Sequence, residues 1–149
     1  MESWRLTWRL GFAPGLSVAA LEALRDGLKS DDKRLMQGCT TQPPPLMCVQ
    51  DWPVECGCPL AYMGAMLSGG FADSDPTGKQ TNPNAATVST VEEFFASACF
   101  DADQRLGEPA ACRWFLNWVD DTPRDEMRAE LLAEVELALS GRAEAASAQ

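Results

Sequence analysis

Four cysteines, Cys39, Cys48, Cys56 and Cys58, fall within twenty residues of proline-rich chain at spacings of nine, eight and two. A loop-borne set of thiolates is the chemistry of a zinc or iron–sulfur centre. The spacing argues against that chemistry, because zinc sequences pair their ligands as C-x2-C knuckles and this segment holds a single C-x-C. A cysteine-ligated zinc or iron–sulfur module therefore stands as the competing expectation. Cys99 and Cys112 are expected on the inward faces of helices, where an unliganded cysteine packs as a small hydrophobe. Cys58, just before Pro59 and a helix, is the one thiol whose pKa a helix N-terminus would lower. The chain has no histidine, so it lacks the usual neutral-pH general base, the commonest metal ligand and the ordinary partner of a nucleophilic cysteine. The expectation is a protein that is not an enzyme and needs no cofactor.

Two further patterns fail on inspection. Asp73-x-Asp75-x-Thr77-Gly78 starts like a calcium loop, but its twelfth position is Asn84 where a bidentate Glu is required, and a solvated turn accounts for it. Gly78-Lys79 ends like a phosphate-binding loop until Gln80 replaces the required Ser or Thr. The pairs Asp101 with Asp103 and Asp120 with Asp121 would suit acid–base work only across a cleft of defined width. At helix surfaces and junctions, capping and solubility explain them.

Charge is the strongest signal. Residues 1–50 hold six Lys/Arg against five Asp/Glu, whereas residues 51–149 hold six against seventeen. With a pI near 4.3, the chain is a poor direct ligand for nucleic acid or anionic lipid, which require a basic footprint. Glu126, Glu130 and Glu134 are spaced four apart, so they form one row on the expected solvent side of the last helix, without a Lys or Arg three or four residues away to relieve the repulsion. With Glu92, Glu93, Asp101, Asp103, Asp120 and Asp121 they make an expected acidic face.

The elements that must carry these residues are mainly helical. A length of 149 residues with 46% hydrophobic residues predicts one core and one domain over 1–149. From Trp4 to Phe12 apolar residues alternate with polar ones, favouring a half-buried strand, although Trp4-Arg5-Leu6 and Trp8-Arg9-Leu10 also make a four-residue repeat that suits a helix. Ser17 predicts the cap of a helix to Lys29, and a short helical turn is expected over Asp31 to Met36, ended by Gly38. Residues 39–58, with Pro43-Pro44-Pro45, read as an extended segment held by side chains. Pro59 opens a helix over Leu60 to Leu67, stopped by Gly69-Gly70. Residues 68–87 read as a flexible, disordered loop.

After that loop, Ser89 with Glu92 forms a capping box for a helix to Leu106, whose stripe is Val91, Phe94, Phe95, Ala98, Cys99 and Ala102. Ala110 to Val119, with Trp114, Phe115, Leu116 and Trp118, reads as the central helix of the fold. Thr122-Pro123 opens the last helix, Arg124 to Leu139, and residues 141–149 read as a frayed tail. The expected architecture is a mainly α, single small domain of four to six helices with an irregular Pro/Cys-rich segment and a long polar loop. No stretch reaches the roughly 18 apolar residues that span a bilayer, so the expectation is a cytoplasmic protein away from membranes. The expected function is an acidic protein–protein interaction module: an adaptor, accessory subunit or inhibitor docking on a basic partner. A nucleic-acid-binding enzyme, blocked by nucleic-acid mimicry, is a special form of that partner.

Overall fold

The computed structural model describes residues 1–38, 41–42 and 52–147; Cys39, Cys48 and the Pro43-Pro44-Pro45 run lie outside them. The described chain is mainly helical: α1 (Ser3–Leu6), a π-helical turn (Thr7–Phe12) and a 3₁₀ turn (Ala13–Gly15), then α2 (Val18–Ser30), α3 (Pro59–Leu67), α4 (Val88–Leu106), α5 (Cys112–Asp121) and α6 (Arg124–Ser147). Thr41–Gln42 (β1) pairs antiparallel with Cys56–Gly57 (β2) in a two-residue ladder. No helix of the described residues is long and apolar enough to cross a membrane.

The N-terminal segment is helical, correcting the strand reading. The four-residue repeat prevails because it puts Trp4, Trp8 and Phe12 in one buried column, where a strand would also have buried Leu10, which is 55% exposed. The wide π turn (i→i+5) suits large side chains spaced four apart. Trp4 stacks on Trp118 at 3.6 Å between ring centroids, and Trp8 and Phe12 both meet Phe115. The π turn packs on α4, and Gly11 permits that approach: a Cβ there would lie 3.1 Å from Cβ of Ala102.

α2 begins as expected, with the Ser17 hydroxyl accepting from the Ala20 amide at 3.1 Å. It ends in a Schellman arrangement in which Asp32 N–H donates to Gly27 O and Asp31 N–H to Leu28 O. Asp31 takes the left-handed position (φ 53) usually left to glycine. The following residues 31–38 form turns where a helical turn was expected, because Asp32 accepts from both the amide and the guanidinium of Arg34 and Met36 N–H donates to Gly57 O.

α3 is the central element: every residue from Pro59 to Ala65 is buried. That corrects the placement of α5 at the centre, since only Phe115 and Val119 of α5 are buried. Arg113, Asn117, Asp120 and Asp121 occupy its outer side with Trp114, which is 42% exposed. The helix that seemed apolar all round is amphipathic once its spacing is respected.

Residues 68–87 hold a defined path, against the disordered reading. Val54 N–H donates to Ala86 O, Ala86 N–H to Gly70 O, Ala72 N–H to Val54 O and Val88 N–H to Trp52 O, so three passes of chain are joined by backbone bonds. Phe71 is buried on Tyr62. Asn82 Nδ2 donates to Gly69 O and Phe71 O. These bonds also correct the expectation that the Pro/Cys segment, where it is described, relies on side chains. α4 starts two residues early, with Thr87 at the cap position in place of Ser89. α6 runs to Ser147, through the stretch read as frayed, because the Arg142 Nη2 donates to Ala13 O, Pro14 O and Leu16 O.

Candidate functional site

The positive residues of this acidic chain are largely spent inside the fold. Arg5 and Arg9, four apart across the junction of α1 and the π turn, converge on Glu134 of α6: Arg5 Nη1 donates at 2.8 Å, Arg9 Nε at 2.6 Å and Arg9 Nη2 at 2.9 Å. Glu134 is only 4% exposed, and the Arg9 hydrogen bonds, then those of Arg5, hold its carboxyl below the usual carboxylate range against the opposing effect of burial. Arg124 and Arg128 close on the α2 C-terminus. Arg124 donates to Asp31, Asp32 O and Leu35 O, and Arg128 donates to Leu28 O, where cations complement the negative end of a helix. With Lys33 and Arg124 on its carboxylate, Asp31 is held at a pKa of about 2.

This arrangement corrects the row of three glutamates on the solvent side of α6. Glu126 is exposed; Glu130 is half-buried and 3.5 Å from Arg5; Glu134 is inside. The repulsion expected along the row is relieved by arginines more than 120 residues away in sequence.

The remaining acidic candidates divide into structural and solvent-facing groups. Asp103 caps α5, accepting from the amides of Ala110 at 3.2 Å and Cys112 at 2.8 Å. Asp120 accepts from Gly38 N–H at 2.8 Å and ties the turn after α2 to α5. Glu92, Glu93, Asp101, Asp121 and Glu126 are exposed and form no ion pair among the described residues. Helical spacing puts Glu93, Ser97, Phe100, Asp101 and Gln104 on the outer side of α4, and Phe100 is 63% exposed. A shallow cleft lined by Phe100, Asp103, Gln104, Gly107, Glu108, Pro109 and Ala110 opens where α4 turns into α5. Phe100 is absent from the inward stripe of α4, and that omission was its signal in the sequence. Trp114 had none, because α5 was read as buried on all sides.

Of the loop cysteines, Cys39 and Cys48 lie outside the described residues. Cys56 is on β2, and Cys58 occupies the cap position of α3, buried. Among the described residues no three His, Cys, Asp or Glu side chains are grouped to hold a metal ion. Asp75 accepts from the Thr77 amide and hydroxyl and the Lys79 amide; the calcium-like motif is thus a self-satisfied turn, and those bonds lower its pKa. Cys99 on α4 and Cys112 at the start of α5 are thiols in hydrogen-bonding contact. No family model, curated protein or solved structure matches the chain.

Proposed function

We propose that the protein is a non-enzymatic interaction module of the cytoplasm whose α4–α5 face docks on a basic protein, acting as an adaptor, accessory subunit or inhibitor. One observation supports this reading above others. Residues 88–121 carry seven carboxylates against two arginines, while elsewhere the arginines are consumed by Glu134, Asp31 and backbone carbonyls, so unpaired negative charge surrounds an aromatic ring that faces solvent. Charge of one sign steers encounter, and an exposed aromatic supplies contact area at the centre of an interface. Partners that bind nucleic acid belong to this class through their basic surfaces. Strict phosphate mimicry is the less favoured form, because burial of Glu134 leaves the α6 row too short to imitate a backbone.

The test is binding of a fluorescent arginine- and leucine-rich peptide, followed by anisotropy as salt rises. Screening predicts at least about a tenfold loss of affinity between 50 and 300 mM salt. Phe100→Ala should weaken binding by about fivefold, Asp101→Asn and Glu93→Gln should flatten the salt dependence, and Glu144→Gln should do neither. Salt-insensitive binding, or equal effects at Phe100 and Glu144, would retire the reading.

A further inference from the structure

The turn between α4 and α5 folds back sharply through two left-handed residues, Gly107 (φ 65) and Ala110 (φ 63). Glycine takes that conformation freely, whereas alanine is strained in it. The turn is held by one side chain: Asp103 grips the amides of Ala110 and Cys112 and approaches Cys112 Sγ at 3.8 Å. Cys99 lies one helical turn before Asp103, on the same side of α4, so the two residues of α4 reach the first residue of α5 together. The result is two half-buried thiols in hydrogen-bonding contact across an inter-helix turn, each visible to solvent.

We propose that Cys99 and Cys112 are a reversible oxidation site, closing a disulfide across the α4–α5 turn with hydrogen peroxide as oxidant. Cys112 is the attacking group. Burial raises its thiol too, but the hydrogen bond with Cys99 and its own backbone amide at the N-terminus of α5 partly offset that, whereas burial first, and the neighbouring Cys112, push the Cys99 thiol far up. The Cys112 thiolate takes the distal oxygen of the peroxide, whose O–O bond breaks. Cys112 becomes a sulfenic acid, and the departing oxygen leaves as water once it gains protons. Cys99, losing its proton, then attacks the Cys112 sulfur; the S–S bond forms and the hydroxyl leaves as a second water. Two thiols have given up two electrons and two protons, and one peroxide has become two waters. Burial and the Asp103 charge keep both thiols protonated at neutral pH, so the reaction is slow there and quickens with alkalinity. The ring closed by the bond runs from residue 99 to 112 and encloses the cleft beside Phe100. Oxidation would therefore limit how that cleft adapts to a partner, a consequence that rests on the docking reading although the bond does not.

The experiment treats the reduced, folded protein with hydrogen peroxide at pH 8, blocks remaining thiols with a maleimide and maps tryptic peptides by mass. Residues 80–105, holding Cys99, and 106–113, holding Cys112, should appear joined with the loss of two hydrogens, and dithiothreitol should release them. Cys112→Ala should lose the link and Cys58→Ala should keep it, with circular dichroism establishing that each variant is folded. The wild-type map decides the matter even if a variant fails to fold. Maleimide on both Cys99 and Cys112 after peroxide treatment, sulfonic acid at Cys112 with no link, or the 80–105 peptide joined instead to the 35–79 peptide that carries Cys58, would each overturn the proposal.

Discussion

Replacing Glu134 by glutamine keeps the shape of the side chain and removes its charge, leaving Arg5 and Arg9 facing a neutral amide. Three charge-assisted hydrogen bonds, at 2.6, 2.8 and 2.9 Å, become at best one neutral acceptor and one misdirected NH2 group. Charge-assisted bonds exceed neutral ones by about 1 kcal/mol each. Both guanidiniums remain partly wet, at 20% and 37% exposure, and Arg5 keeps Glu2 and Glu130, so the sum must be discounted. The expected loss is about 1–2 kcal/mol for Glu134→Gln. For Glu134→Ala it is about 2–3 kcal/mol, below the 3–5 kcal/mol typical of a fully buried pair broken on one side. At about 2–4 °C per kcal/mol for a chain of this size, the melting temperature should fall by about 2–8 °C and about 4–12 °C respectively.

The pH dependence carries a sign. The folded carboxyl titrates below its ordinary value of 4.5, so its stabilisation is complete above that value and is lost as pH falls through the lowered folded pKa. The gap between wild type and Glu134→Gln, read from urea midpoints, should hold from pH 7 to about 5 and close below 4.5. A gap that is absent at pH 7, or that persists unchanged at pH 3, would refute the account of the clamp. Arg9→Ala should cost less in the Glu134→Gln background than in the wild type; additive losses would show that the two residues do not act together.

Gly27→Ala, which ordinarily stabilises a helix interior by about 1 kcal/mol, should instead destabilise α2. The new Cβ would lie 2.6 Å from the Tyr62 ring and hydroxyl, displacing Tyr62 from its 2.8 Å bond to Asp32, with a net loss of about 1–2 kcal/mol in urea unfolding. Arg142→Ala should free the carbonyls of Ala13, Pro14 and Leu16 and cost about 1–2 kcal/mol. Hydrogen exchange should then rise over the last turns of α6, and unchanged exchange there would mean that the helix end needs no anchor.

Much of the helical framework was legible because its signals are local. Ser17, Pro59 and Pro123 mark helix starts by what their own backbone and side chains do, and the four-residue spacing of Met127, Leu131 and Val135 points to one core. What the sequence hid depends on partners distant along the chain. Trp4 to Phe12 satisfies two periods at once, and the choice falls to Trp118, Phe115 and Glu134, which stack and pair only with the helical one. Residues 68–87 lack any inward stripe, yet three backbone passes order them through Val54 and Trp52.

The acidic site shows the same limit more sharply. Composition reveals the excess of carboxylates but is silent on which of them are already answered. Glu130 and Glu134 looked like the clearest unpaired row, and they are the ones met by arginine. Asp103 and Asp120 looked like surface charge, and they hold turns. The residues left over, Glu92, Glu93, Asp101, Asp121 and Glu126, differ from those in nothing a one-dimensional pattern records. Their availability follows from where the arginines went: a fold with twelve cations that commits half of them to its own carbonyls and a buried carboxylate presents to solvent a field more negative than an even mixture of the same residues would, and the exposed ring of Phe100 stands within it.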